Sequence, residues 1–138
     1  MSDSQPPHDH ASDADGAADS TGDGRDLAAF RAYRERMNAR IHETGTQVTK
    51  RFFNLDGAAY REGALDVRTK ELMGLVASTV LRCDDCITYH IVRAAEEGAT
   101  RAMLVESLDI ALVVGGSIVI PHARRAYERM DELGLPEG

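Results

Sequence analysis

No run of eighteen uninterrupted apolar residues occurs in the sequence, and its start carries no basic stretch followed by a hydrophobic and then a small-residue segment. These absences argue against a transmembrane helix and a secretory signal peptide, so a cytoplasmic protein with no membrane role is expected. Lysine and arginine are missing from residues 1–24, which hold six aspartates: Asp3, Asp9, Asp13, Asp15, Asp19 and Asp23. The net charge of −7 is concentrated there, because from residue 25 onward 17 acids face 16 bases. A nearly neutral remainder offers no nucleic-acid surface. Strand-like alternation is also missing, and only the short β-branched run over 117–120 imitates it, so the fold class expected is all-α. Cysteine is scarce as well. The two present, Cys83 and Cys86, are three apart, which in a cytoplasmic protein favours redox or metal chemistry over a structural bridge.

With 138 residues the chain fits one domain with a core of its own. Residues 1–24 have no large aliphatic side chain beyond Met1 and cannot bury enough apolar surface to offset the entropy of ordering. They read as a disordered acidic tail, and His8 and His10 beside Asp9 as solvated tail residues rather than metal ligands. The domain spans residues 25–138. Leu27, Phe30, Tyr33 and Met37 recur at helical spacing, with Asp23 or Asp26 to cap the helix and Gly45 to end it. A second helical stretch carries Val48, Phe52, Phe53 and Leu55; the sequence from Asn54 to Gly57 can break it, and Ala58, Ala59 and Tyr60 can continue it.

Asp66 is placed to cap a helix whose residues from Leu72 to Leu81 carry no charge. A helix apolar almost all round belongs in an interior or an interface, so Glu71 is expected to enter the interior on that helix's first turn. A buried carboxylate costs several kcal/mol unless paired or protonated, which makes it a candidate functional residue. Cys83 falls where this helix ends and the next begins, with Asp84 and Asp85 in the following first turn. The next helix turns Ile87, Ile91, Ala94 and Ala95 inward and stops at Gly98. Thr100 caps a further helix with Met103, Leu104, Leu108, Ala111 and Leu112 inward; Gly115 and Gly116 break it. A last helix runs from about Ser117 to Leu133, with Pro121 tolerable only near its first turn.

On a helix, Cys83, Cys86 and His90 share one face. A thiolate is the nucleophile in peroxide reduction and disulfide exchange. The helix dipole favours the thiolate, whereas Asp84 and Asp85 oppose it. His90, one turn from Cys86, can take the proton, and Glu71 can orient or recharge the imidazole, giving a Glu–His–Cys relay.

A Glu, about a dozen residues and then C-x-x-C-x-x-x-H resembles the alkyl hydroperoxidase D (AhpD)-like branch of the carboxymuconolactone decarboxylase family. The likeness extends through the lead-in from Leu65 to Glu71, through Gly98, Ala99 and Thr100, and through the segment from Glu106 to Leu133. It implies an AhpD-like bundle of about five to seven helices, a trimer or hexamer, and a thiol-dependent peroxidase or disulfide oxidoreductase with no cofactor. In that cycle Cys86 attacks a hydroperoxide and becomes a sulfenic acid, Cys83 is proton donor and resolving thiol, and Glu71 and His90 form the proton relay. A dithiol or partner protein then reduces the disulfide. The family member that defines the mechanism has a further His directly before its second cysteine; Asp85 stands there in this chain. His122, Arg124 and Arg125 resemble a segment that contributes to subunit packing, and Tyr89 reads as a packing residue.

Three other readings compete. Cys83, Cys86 and His90, with Glu71 or water, could ligate a metal, but structural zinc sites usually draw a second pair of ligands from another segment. The lyase for which the family is named needs no CxxC pair. A non-catalytic helical assembly module would keep the motif without its thiols reacting with peroxide.

Overall fold

The computed structural model describes residues 26–138; the acidic segment with Asp23, His8 and His10 lies outside the described residues. Six helices follow one another: α1 (Leu27–Thr44), α2 (Gln47–Ala59), α3 (Val67–Val80), α4 (Asp84–Glu96), α5 (Arg101–Gly115) and α6 (Ile120–Leu133). A single 3₁₀ turn, Ser117–Val119, leads into α6. No strand occurs among the described residues, and no helix is long and apolar enough to cross a membrane. The fold is all-α.

The boundaries follow from local chemistry. Asp26 and Asp66 each accept a 2.7 Å hydrogen bond from the backbone N–H three residues on, capping α1 and α3. Thr100 caps α5 in the same way through Met103 N–H. α4 ends in a Schellman turn, in which Ala99 N–H bonds to Ala94 O and Gly98 N–H to Ala95 O, with Gly98 left-handed at φ 84°. α3 ends in the same motif, but the left-handed position belongs to Arg82 at φ 61°. Cys83 N–H closes that turn on Ser78 O, and Cys83 is also the N-cap of α4. One residue thus ends one helix and opens the next. Pro121 sits in the first turn of α6, where its missing N–H costs nothing. α2 runs unbroken through the sequence from Asn54 to Gly57, with Tyr60 as its C-cap.

α3 packs against α4 and α5, and α4 against α6, around a core that includes Leu75, Ile87, Ile91, Leu104, Leu108 and Met130. The central helix is less enclosed than its composition predicts, since Met73 is 55% exposed within this chain. α1 buries Leu27 and Phe30 but leaves Tyr33 49% exposed, and α2 buries no residue at all. A helix with Val48, Phe52 and Leu55 all exposed, and little among the described residues covering them, gains little from the hydrophobic effect as it stands.

Candidate active site

Glu71 is the fifth residue of α3, so it lies in the second turn rather than the first, and it is 1% exposed. In the second turn the helix dipole gives a carboxylate little, and its charge must be met by side chains. His90, 8% exposed on α4, meets it: Nδ1 lies 2.7 Å from Glu71 Oε2. The pairing of α3 with α4 around the Cys83 turn closes nineteen residues of sequence into one contact. Opposite an ionised carboxylate, which only accepts hydrogen bonds, Nδ1 is the donor of this pair and Nε2 is left for other partners. Arg93, one turn beyond His90, places Nε 3.9 Å from Glu71 Oε1. Its hydrogen bond to Glu96 holds the guanidinium above its ordinary range, against the opposing effect of burial, and Glu97 and Glu71 add to the rise.

The two cysteines are joined as a disulfide, with their Cα atoms 5.2 Å apart. Cys83 caps α4 from outside the helix, its sulfur accepting a 3.3 Å bond from Cys86 N–H, so of the expected helical face only Cys86 and His90 lie on α4 itself. Cys86 is exposed, and with His90 it lines a pocket of about 470 Å³. The opposite wall is α1, which contributes the apolar surfaces of Tyr33, Met37 and Ile41; Asp85 stands at the same pocket. The second half of the α1 stripe, exposed Tyr33 and half-buried Met37, is therefore pocket lining rather than core. Of the four expected site residues, Glu71 bonds to His90, His90 shares the pocket with Cys86, and Cys83 is bonded to Cys86.

Three further residues shape the site. Tyr60, at the end of α2, stacks on the imidazole at a ring distance of 5.4 Å, with its hydroxyl 3.5 Å from His90 Nε2. Burial raises the Tyr60 phenol above its ordinary value, and Glu71, Asp56 and Tyr89 raise it further, so it stays protonated around neutrality. Lys70 secures this end of α2 by donating to the carbonyls of Ala59 and Arg61. Gly74 is the second: a Cβ there would lie 2.6 Å from both His90 Cε1 and the Tyr60 hydroxyl. The lone glycine in an apolar helical run was the available signal for such a close approach. Arg93 is the third, and nothing in its spacing separates it from an ordinary surface cation. Tyr89 packs edge-on to His90 at 5.2 Å and carries Arg34 over its other surface at 4.1 Å, which fits a packing residue. His122 and Arg125 both contact Asp84 within the same chain.

His90 directs Nδ1 to Glu71 and the sulfurs are bonded to each other, and among the described residues no three His, Cys, Asp or Glu side chains converge as a metal-binding group.

Known proteins resemble this chain in sequence and fold. The sequence pattern of the carboxymuconolactone decarboxylase family covers residues 46–129. An uncharacterized protein in the cox locus of Paracoccus denitrificans is 31% identical over 101 residues, which is 71% of this chain and 91% of that protein. A crystal structure from Thermotoga maritima, of a carboxymuconolactone decarboxylase family protein for which an antioxidative role has been suggested, superposes with a TM-score of 0.74 at 64% identity. It covers 76% of this chain and 89% of its own. The apo form of a family protein from Legionella pneumophila gives a TM-score of 0.70 at 28% identity over 76% of this chain and 94% of its own. The family pattern runs from the start of α2 into α6 and takes in Glu71, both cysteines and His90, so the chain belongs to the carboxymuconolactone decarboxylase family.

Proposed function

We propose that the protein is a thiol-dependent hydroperoxide reductase of the AhpD-like branch, with Cys86 as attacking thiol, Cys83 as resolving thiol and Glu71–His90 as proton relay. The observation that carries this is the 2.7 Å contact between a buried carboxylate and the Nδ1 of an imidazole that shares a pocket with Cys86. A carboxylate on Nδ1 leaves Nε2 as the base and stabilises the imidazolium once a thiol proton arrives.

In the cycle the Cys86 thiolate attacks the terminal oxygen of ROOH. The O–O bond breaks, ROH leaves with a proton from Cys83, and Cys86 becomes a sulfenic acid. The Cys83 thiolate then attacks the Cys86 sulfur, and the S–O bond breaks as hydroxide leaves, taking the proton held on His90 and departing as water. An external dithiol, small or protein-borne, restores both thiols by exchange and becomes a disulfide itself. The apolar side chains of α1 opposite Cys86 favour an organic hydroperoxide over hydrogen peroxide. A reducing cytoplasm would supply the dithiol. The uncovered apolar side chains of α2 and of the α5 end, Val113 and Val114, support assembly into a homotrimer or homohexamer.

The test is consumption of an organic hydroperoxide with a dithiol donor, comparing the parent with Cys86→Ser, Cys83→Ser, His90→Ala and Glu71→Ala. Cys86→Ser should abolish turnover, Cys83→Ser should stall after one sulfenic acid, and the other two should slow the reaction by about 10²-fold or more. Four variants as active as the parent would remove the proposal.

A further inference from the structure

Helix α6 reaches back to the thiol turn. His122 Nδ1 lies 2.7 Å from Asp84 Oδ1 and Arg125 Nη1 lies 2.5 Å from Asp84 Oδ2, so each carboxylate oxygen has its own partner. Asp84 directly follows Cys83 and is the first residue of α4, whereas its partners are 38 and 41 residues away. None of these side chains has a part in the peroxide cycle. Nor do α4 and α6 need them for adhesion, since Ile91, Ala126 and Met130 already pack in the common core.

What the contacts do affect is charge. A carboxylate one residue from Cys83 and two from Cys86 opposes the formation of a thiolate, and a dithiol whose thiolate is disfavoured gives up its electrons more readily. A guanidinium bonded to that carboxylate offsets the effect. We infer that Asp84, His122 and Arg125 together set the reduction potential of the Cys83–Cys86 pair, His122 and Arg125 acting as positioning residues that hold the Asp84 charge compensated beside the sulfurs. This rests on the pair being redox-active, as proposed above. The step concerned is exchange with a dithiol: the donor gives two electrons and two protons, the Cys83–Cys86 bond breaks to two thiols, and the donor closes its own disulfide.

The cluster makes a prediction of sign that a mechanical tie does not. Arg125→Gln removes the guanidinium from Asp84, leaves it only the His122 contact and favours the disulfide, whereas Asp84→Asn leaves the guanidinium uncompensated and favours the dithiol. As a tie alone, the cluster would be broken by either change with the same outcome. The experiment equilibrates the full chain in dithiothreitol buffers of graded oxidation at pH 7 and reads the oxidised fraction by alkylation and mass.

Arg125→Gln should lower the equilibrium constant for reduction about tenfold, a midpoint about 30 mV more negative, and Asp84→Asn should move it by a similar amount the other way. The double variant Asp84→Asn/Arg125→Gln, with both charges gone, should return close to the parent, and Arg125→Lys should stay there. Midpoints unmoved, or moved in the same direction by both single changes, would overturn the inference while leaving the redox reading intact. A parent pair that exchanges no electrons with the buffer would sink both. Melting curves identify any unfolded variant, and where one single change unfolds the chain, the direction in which the other moves the midpoint still decides the sign, a shift opposite to that stated overturning the inference.

Discussion

Replacing Gly74 by alanine tests the site at its tightest point. In the interior of a helix this change ordinarily stabilises by about 0.5–1 kcal/mol. Here the new methyl would stand 2.6 Å from His90 Cε1, 2.8 Å from His90 Nδ1 and 2.6 Å from the Tyr60 hydroxyl, closer than atoms pack. The neighbours that must give way are side-chain ends, so the helix can survive, but one of them is the imidazole on which the relay depends. Relieving such an overlap costs about 1–3 kcal/mol. Loosening the buried Glu71–His90 bond adds about 1–3 kcal/mol. Net of the helical gain, destabilisation of about 1–5 kcal/mol is expected, a drop of at least several degrees in melting temperature.

The effect on rate should be proportionately larger, because a displacement of about 1 Å in a catalytic group costs on the order of 100-fold. Gly57→Ala is the control. Gly57 also lies in a helix, but a methyl there meets nothing within 4 Å, so stabilisation of about 0.5–1 kcal/mol with unchanged turnover is expected. Thermal melting and hydroperoxide consumption, run on the same preparations, give both quantities. If Gly74→Ala turns over within a factor of about two of the parent while Gly57→Ala behaves as stated, the placement of His90 against α3 does not matter to the chemistry, and the reasoning fails.

Tyr60→Phe should lower turnover less than about tenfold, because the hydroxyl is 3.5 Å from Nε2, a long hydrogen bond, and the stacked ring remains. A loss equal to that of His90→Ala would make the phenol the proton donor instead. Since burial and Glu71 keep the phenol protonated, the parent and Tyr60→Phe should share one pH–rate profile from about pH 6 to 8. The Asp66 cap gives a pH dependence of stability. Its hydrogen bonds with Thr69 lower the carboxyl below its ordinary 3.8, so its contribution is complete above that value and disappears as pH falls through the lower folded value. Acid melts of the parent and Asp66→Ala should therefore begin to approach each other as pH falls below 3.8 and meet only below the lowered folded value, and a gap that does not narrow over that descent would contradict the cap. Leu104→Ala, at a position with no exposure, should cost about 2–5 kcal/mol in denaturant unfolding without altering the chemistry of any folded fraction.

Much of this protein follows from short-range chemistry that a sequence displays. Asp66 and Thr100 begin helices because their side chains reach an N–H three residues on, and Gly98 ends one because it tolerates a left-handed backbone, so these boundaries stood in the residues themselves. The Glu, CxxC and His spacing named the candidate chemistry for a similar reason, since Cys86 and His90 are one helical turn apart. What the sequence left undecided were contacts made across helices. That α2 runs through Gly57 depends on its end being held by Lys70 and by Tyr60 stacked on His90, neither visible as a local pattern. Whether Glu71 met a partner, how close Gly74 let α4 approach, and that Asp84 would be taken by two side chains of α6 were decided by how three helices pack. Such contacts depend on the relative position and rotation of rigid elements dozens of residues apart. Capping and periodicity act within a turn or two, whereas which partners share a buried pocket is settled only when the whole core closes.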